Sequence, residues 1–369
     1  MAAGRSAGGT TTVRAVDRDL DCEPVRRWLL DRGADEDAVA EAERQGHLTG
    51  LAAELVLGNG AGLSASDLAD RLGIEAKAVV EAFGQFGVAV PDPDEPRFTE
   101  ADLRMCEVVL AGDMHALAGA DLGRVVAAAL DRVADAAVAL YVQGPEEDMA
   151  RSGAELTARA EATAHATSKA LDLGTALGVL FRHHMGQAIA RQRVTQEGVS
   201  RRELARLAVG FVDLVGSTAI EARLDPADLG ALVSRFESRA FAVTTAHGGR
   251  VVKFIGDEIM VAAVDPLSGC RIVADLTAAF TADGLRPRGG LVFGEVLYRH
   301  GDYYGPVVNL AARLAGVAIP EEVLVDRSVV EAVASVVPAD GARVPSFEPA
   351  GRRLLKGFPT PVPAWSLVP

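Results

Sequence analysis

The spacing of apolar positions changes character about halfway along the chain. From residue 25 to residue 193 apolar residues recur at intervals of three and four, the period that lines one side of an α-helix. Leu122, Val125, Val126, Ala129, Val133 and Ala137 keep this spacing and predict a buried helix face. Residues 64–88 predict two shorter helices, with Ser64 to Asp67 as an N-cap region and Gly73 marking the turn. Residues 91–96, with Pro91, Pro93 and Pro96, read as a stiff polar loop.

Beyond residue 204 the pattern alternates between short apolar runs and amphipathic stretches. Residues 207–212 predict a strand, 226–247 a helix stopped by Gly248 and Gly249, and 250–255 with 258–264 a hairpin about Gly256 and Asp257. A helix over 266–283, two strands over 288–293 and 295–299, and a helix over 307–317 follow. The resulting βαββαβ order predicts an antiparallel sheet with helices on one face. The polar run 196–202, with Gly198, falls where the pattern changes. It sets the expected organisation: a tail over 1–16, an all-α domain over 17–195, a linker over 196–206 and an α+β domain over 207–369.

A length of 369 residues suits two domains rather than one core. The formal net charge of −14 repels nucleic acid and anionic surfaces, so a phosphate ligand needs local basic groups or metal ions. The helix pair at 64–88 has the spacing of a helix-turn-helix. Its second helix carries Glu75, Lys77 and Glu81 and offers almost no charge for a DNA backbone, so a packing hairpin is the better reading. Cys22, Cys106 and Cys270 are scattered and have neither zinc-site nor disulfide spacing. The first dozen residues lack an apolar core of the signal-peptide kind, and the most apolar stretch, 125–142, is interrupted by Asp131, Arg132 and Asp135. The expectation is a cytoplasmic protein without a membrane span.

Candidate chemistry lies in the second half. Asp213 ends the first predicted strand and Asp257 sits at the hairpin tip, where neighbouring strands bring both to one sheet edge. Two hard carboxylates suit Mg²⁺ or Mn²⁺ held jointly with substrate phosphates, and paired ions activate an attacking oxygen and neutralise a leaving phosphate. Gly216, Ser217 and Thr218 open the following segment with backbone amides suited to cradling phosphates. Ordinary turn aspartates and an N-cap explain the same residues without chemistry. Asn309 and Arg313 are four apart on one predicted helix and share a face, where they suit the charge of a pentavalent phosphorus or form a surface pair. Lys253 leads into the hairpin tip, Asp302 lies in a turn between Gly301 and Gly305, and Lys356 stands beside Gly357.

Taken together, these segments resemble the class III nucleotidyl cyclase family from about residue 204 to the end of the chain. Phe211, Val212 and Asp213 resemble its first metal motif. The run from Lys253 to Asp257 resembles its hairpin motif, with a purine-selecting lysine and the second metal aspartate. Asp302, seven residues before Asn309, takes the place of the second base-selecting residue. Asn309 and Arg313 match the transition-state pair, and Arg288 and Lys356 resemble positions that contact the triphosphate.

The resemblance implies an α+β, ferredoxin-like catalytic domain and an adenylate cyclase that turns ATP into cyclic AMP and pyrophosphate, with two Mg²⁺ or Mn²⁺ ions per site. It also implies a homodimer whose sites draw Asp213, Asp257 and Arg288 from one protomer and Lys253, Asp302, Asn309, Arg313 and Lys356 from the other. The pair Lys253 and Asp302 resembles the adenylate type, since a lysine donates to a ring nitrogen and an aspartate accepts from the 6-amino group of adenine.

The helical half resembles, more loosely, a regulatory domain that confers pH sensitivity. His183 and His184 near the junction are its candidate sensors, because histidine changes charge nearest neutral pH. Two surface histidines without a switching role are the plain alternative. A pocket for a lipid-like ligand among the alanine- and leucine-rich helices is a second regulatory reading. The competing functions are a catalytically silent nucleotide- or ligand-binding regulator on the cyclase fold, a diguanylate cyclase and a DNA-binding regulator. The hairpin sequence, Ile255 to Ile259 around Gly256 and Asp257, lacks the Gly-Gly-acid-acid-Phe run of diguanylate cyclases.

Overall fold

The computed structural model describes residues 21–110, 119–195, 204–216, 224–299, 301–336 and 344–368. It forms two compact units, the first ending at Arg182 and the second beginning at His183. The expected tail over 1–16 and most of the expected linker, 196–203, lie outside the described residues.

The first unit is helical: α1 Glu23–Leu30, α2 Glu36–Gln45, α3 Leu48–Leu57, α4 Ala65–Leu72, α5 Ala76–Gln85, α6 Glu100–Leu110, α7 Gly119–Ala137, a π-helical turn Val138–Gln143, α8 Gly144–Arg151 and α9 Leu156–Thr195, which runs on into the second unit. Helices α1 to α3 close on the start of α9 around Val25, Leu29, Val39, Leu51 and Ala160. The guanidinium of the buried Arg159 lies 3.6 Å from Glu146, whose carboxylate also accepts from the Thr49 hydroxyl. Helices α4 to α6 form another cluster, in which Phe83 stacks on Phe98 at 4.5 Å.

The helix pair expected at 64–88 is α4 and α5. The Ser64 hydroxyl accepts from the Asp67 amide, the Asp67 carboxylate accepts from the Ser64 amide, and Gly73 ends α4 in the left-handed region. The buried face expected on α7 is not buried. Leu122 is 46% exposed and Ala129 is exposed, while Val125, Val126, Val133 and Ala137 are half-buried. The elements opposite stand back from α7 and leave an apolar groove of about 860 Å³, lined with Phe86, Met105, Val109, Val126 and Phe181.

The second unit is built on one mixed sheet. Its elements are β1 Leu204–Leu214, α10 Pro226–Ala246, β2 Arg250–Ile255, β3 Glu258–Ala263, α11 Pro266–Ala282, β4 Pro287–Arg299, β5 Asp302–Tyr304, α12 Pro306–Val317, β6 Val323–Val325, α13 Arg327–Ala334, β7 Ser346–Arg353 and β8 Val362–Val368. The sheet order is β2-β3-β1-β4-β6-β8-β7, with β5 on β4, and every pairing is antiparallel except β4 with β6. Asp225, Asp265 and Asp326 cap α10, α11 and α13, and Pro226 and Pro266 start the first two of these.

Three expectations change. Strand β1 begins at Leu204, inside the expected linker, because Leu204, Ala205 and Arg206 pair with Leu297, Val296 and Glu295. Residues 288–299 form one strand, because Gly294 stays in register with Leu207 and does not break the ladder. Helices cover both faces: α10, α11 and α13 pack on Ala208, Val212 and Ile259, and α12 packs on Leu207, Val209, Phe211 and Met260. Gly290 lets α12 sit directly on the sheet, since a Cβ there would lie 2.3 Å from the Ala311 carbonyl. No described helix is long and apolar enough to cross a membrane.

Candidate active site

The apolar run that makes β1 a central strand ends at Asp213, and the register places Asp213 between Glu258 of β3 and Arg288 of β4. Nε and Nη2 of Arg288 donate to Asp213 Oδ2 at 2.8 and 2.6 Å, and Nη1 donates to the Gly316 carbonyl in the last turn of α12 at 2.9 Å. The residue expected to contact a triphosphate therefore neutralises an expected metal ligand in this state. Bonds of this charge-assisted kind are short and strong.

Asp257 stands at the β2–β3 turn, after Gly256 with φ of 63°. Beside it, Glu258 has its carboxyl pushed up to about 7, first by burial, then by the charges of Asp213 and Asp257, with Arg288 and Arg313 pulling the other way. Sequence reading missed Glu258 as part of this cluster. Its only signal was that it follows Asp257 and begins a strand beside β1. Asp213 and Asp257 are hard oxygen donors, and their like charge adds to the burial that pushes Glu258 toward neutrality, a repulsion that a divalent cation relieves, so the donor types fit Mg²⁺ or Mn²⁺. Among the described residues no group of three or more acidic, His or Cys side chains is already arranged around one point. A two-carboxylate site completed by substrate phosphates needs no such group.

Lys253 and Asp302 form an ion pair across 49 positions of sequence. Strand β4 runs past Leu204, the start of β1, and with β5 it carries the Asp302 turn toward the α12 face, where Tyr303 joins the cluster of Ala205, Leu207 and Val209. Asp302 is further fixed by the Tyr303 amide, which donates to its Oδ1 at 2.8 Å. Asn309 and Arg313 both project from α12 and are exposed. Lys356 is exposed in the turn between β7 and β8. Gly216 is exposed with φ of 81°, whereas Ser217 and Thr218 lie outside the described residues. His183 and His184 are exposed on α9 where the two units divide.

The structure thus groups Asp213, Asp257 and Arg288 at one edge, joins Lys253 to Asp302, and sets Asn309 and Arg313 on one helix. Carboxylates, a lysine–aspartate pair and an exposed asparagine–arginine pair are thus the polar groups this unit offers for chemistry.

No family model matches the chain. An uncharacterized protein of Mycobacterium tuberculosis is 34% identical over 350 residues, covering 92% of this chain and 88% of that protein. An adenylate cyclase of Glutamicibacter nicotianae is 43% identical over 141 residues, 38% of this chain and 35% of that enzyme. A pH-sensitive adenylate cyclase of M. tuberculosis is 29% identical over 350 residues, 90% of this chain and 84% of that enzyme. The chain belongs to the class III adenylate cyclase family, in its form with a helical N-terminal region.

Proposed function

We propose that this protein is an adenylate cyclase converting ATP to 3′,5′-cyclic AMP and pyrophosphate at sites shared by two copies of the chain. The observation that carries the reading is the Lys253–Asp302 pair, which two distant segments fold to make. Lys253 donates to a ring nitrogen of adenine and Asp302 accepts from the 6-amino group, whereas guanine sets a carbonyl against Asp302. Asp213 and Asp257 would hold Mg²⁺ or Mn²⁺, two per site, which supplies positive charge at the triphosphate and acidifies the 3′-hydroxyl.

The 3′-oxygen attacks the α-phosphorus in line and pyrophosphate leaves. Asn309 and Arg313 meet the charge that develops on phosphorus, and both are exposed in the single chain, as a role toward a second copy requires. Arg288, turned from Asp213, and Lys356 hold the departing phosphates, and the backbone of Gly216, Ser217 and Thr218 cradles them. An isologous homodimer makes two equivalent sites. With every core position carrying its functional side chain, the silent-binder reading is not favoured.

The helical region from residue 17 to 195 acts as the regulatory domain, and the sheet unit from Leu204 onward as the catalytic domain, of a cytoplasmic enzyme. His183 and His184 bias the junction with pH, and the α7 groove offers a lipid-like ligand an apolar seat. The test is turnover of ATP against GTP with Mn²⁺ across a pH series, by wild type, Asp213→Ala and a His183→Asn, His184→Asn double variant. Wild type is expected to turn over ATP in preference to GTP, Asp213→Ala to lose turnover, and the double variant to show a flattened pH profile. Equal turnover by wild type and Asp213→Ala removes the catalytic reading, and an unchanged pH profile removes the sensor.

A further inference from the structure

Arg250 and Lys253 lie three positions apart on β2, a spacing that puts side chains on opposite faces of a regular strand. Here the ladder slips. Arg250 pairs with Ala262, Val251 with Val261 and Lys253 with Met260, so Val252 is an extra residue in the strand. Ala262 and Met260 belong to the core on the α12 side, and Val251 and Val261 to the core on the other side. The bulge at Val252 therefore turns Arg250 and Lys253 to one face, as bulges beside active sites do when they re-aim a side chain.

On that face both residues reach the turn between β4 and β5. Nη2 of Arg250 donates to the Gly301 carbonyl at 2.9 Å, while Lys253 pairs with Asp302 next door. Gly301 has φ of 80°, so the carbonyl direction is set by a conformation that other residues resist. The Arg250 guanidinium also lies 5.9 Å from the ring centroid of Tyr303, which is 7% exposed and rests on Tyr298 at 5.3 Å. Asp302 is thus held on both sides by one arginine, through the residue before it and the residue after it.

We infer that Arg250 is a positioning residue for base selection, and that the Val252 bulge is the device that brings it there. Lys253 itself tethers Asp302. When Lys253 turns to the ring nitrogen of a base that tether weakens, and Arg250 keeps the turn, and with it the acceptor for the 6-amino group, in place. This rests on the adenylate cyclase reading for the identity of the base.

The test uses the full chain with Arg250→Met, which keeps the apolar stem, and Arg250→Lys, which keeps one donor. Binding of non-cyclisable ATP and GTP analogues is measured by calorimetry with Mn²⁺, alongside turnover of ATP. Arg250→Met is expected to cut the adenine-over-guanine binding ratio about tenfold and to raise KM for ATP while kcat changes less than about threefold. Its Tm stays within about 2 °C of wild type, the half-saturating Mn²⁺ concentration is unchanged, and Arg250→Lys recovers part of the ratio. A wild-type binding ratio in Arg250→Met overturns the inference, as does an equal loss with both nucleotides that follows a fall in Tm. If Arg250→Met does not fold, Arg250→Leu takes its place, and a wild-type ratio there together with wild-type KM overturns it equally. Wild-type protein that prefers the adenine analogue but makes no cyclic AMP overturns the cyclase reading alone, and the binding ratio of Arg250→Met still decides the role of Arg250.

Discussion

In the sheet unit the residues of β1 alternate into two closed clusters, Ala208 and Val212 on one side, Leu207, Val209 and Phe211 on the other. In the helical unit the longest helices and the turn beside them leave Leu122, Leu130, Leu140, Leu171 and Phe181 between 46% and 68% exposed. The strand pattern is satisfied within one chain, and the helical pattern is not. The polar groups of the sheet unit show a parallel shortfall. Asp213 is occupied by Arg288 and Lys253 by Asp302, while Asn309 and Arg313 point outward. In the proposed homodimer a second copy meets both shortfalls, closing helical faces and completing a site.

The largest effect that sharpens this contrast is catalytic. Arg313→Ala should lower kcat about 10²–10³-fold with the Tm unchanged, since the residue is exposed. A matching loss of Tm would place Arg313 in the fold instead. Next is Gly290→Ala, whose methyl group would meet the backbone of α12 at 2.3 and 2.4 Å. It should cost about 2–3 kcal/mol in urea unfolding, because backbone cannot yield as a flexible side chain does. A cost below about 0.5 kcal/mol would show that α12 is free to lift.

A smaller effect is expected on the helical side. Leu171→Gln with Phe181→Gln should change folding stability by less than about 0.5 kcal/mol per site yet weaken self-association in sedimentation runs. A large drop in stability would mean these faces are buried within the single chain.

The smallest effect concerns Asp326, which caps α13. Burial pushes its carboxyl above the usual range despite bonds from the Ser328 hydroxyl at 2.6 Å and the Val329 amide at 3.4 Å. A folded pKa above the unfolded one means stability that is present below the unfolded pKa and lost as pH rises through the folded value. Asp326→Asn, an equally good cap, should therefore match wild type near pH 3 and exceed it by a few tenths of a kcal/mol at pH 7. Greater stability of wild type at pH 7 would contradict this.

What could be read from sequence followed from local signals. Gly256 and Asp257 marked the β2–β3 turn, Gly248 and Gly249 the end of α10, and the N-cap region at Ser64 to Asp67 with Gly73 the bounds of α4. Features that depend on register between distant segments were not legible. The apolar run Val251, Val252 before Lys253 looks continuous, yet it hides the bulge. Arg288 meets Asp213 only because β4 pairs with β1 at those positions, and the raised Glu258 carboxyl follows from the same alignment. The parallel β4–β6 pairing and the placing of α12 opposite α10, α11 and α13 are likewise set by chain crossings, which periodicity does not encode. At the candidate site the residues could be proposed from sequence, whereas the pairing of Arg288 with Asp213 and of Lys253 with Asp302 could not.

Mixing two inactive variants tests most directly whether opposed copies build one site. Asp213→Ala and Asn309→Ala should each be nearly silent alone, and equal amounts of the two, allowed to exchange subunits, should recover about a quarter of wild-type turnover, since half of the dimers are mixed and each holds one intact site of two. A mixture that stays silent although both variants fold and exchange subunits, or full activity in either variant alone, would contradict a site shared between chains.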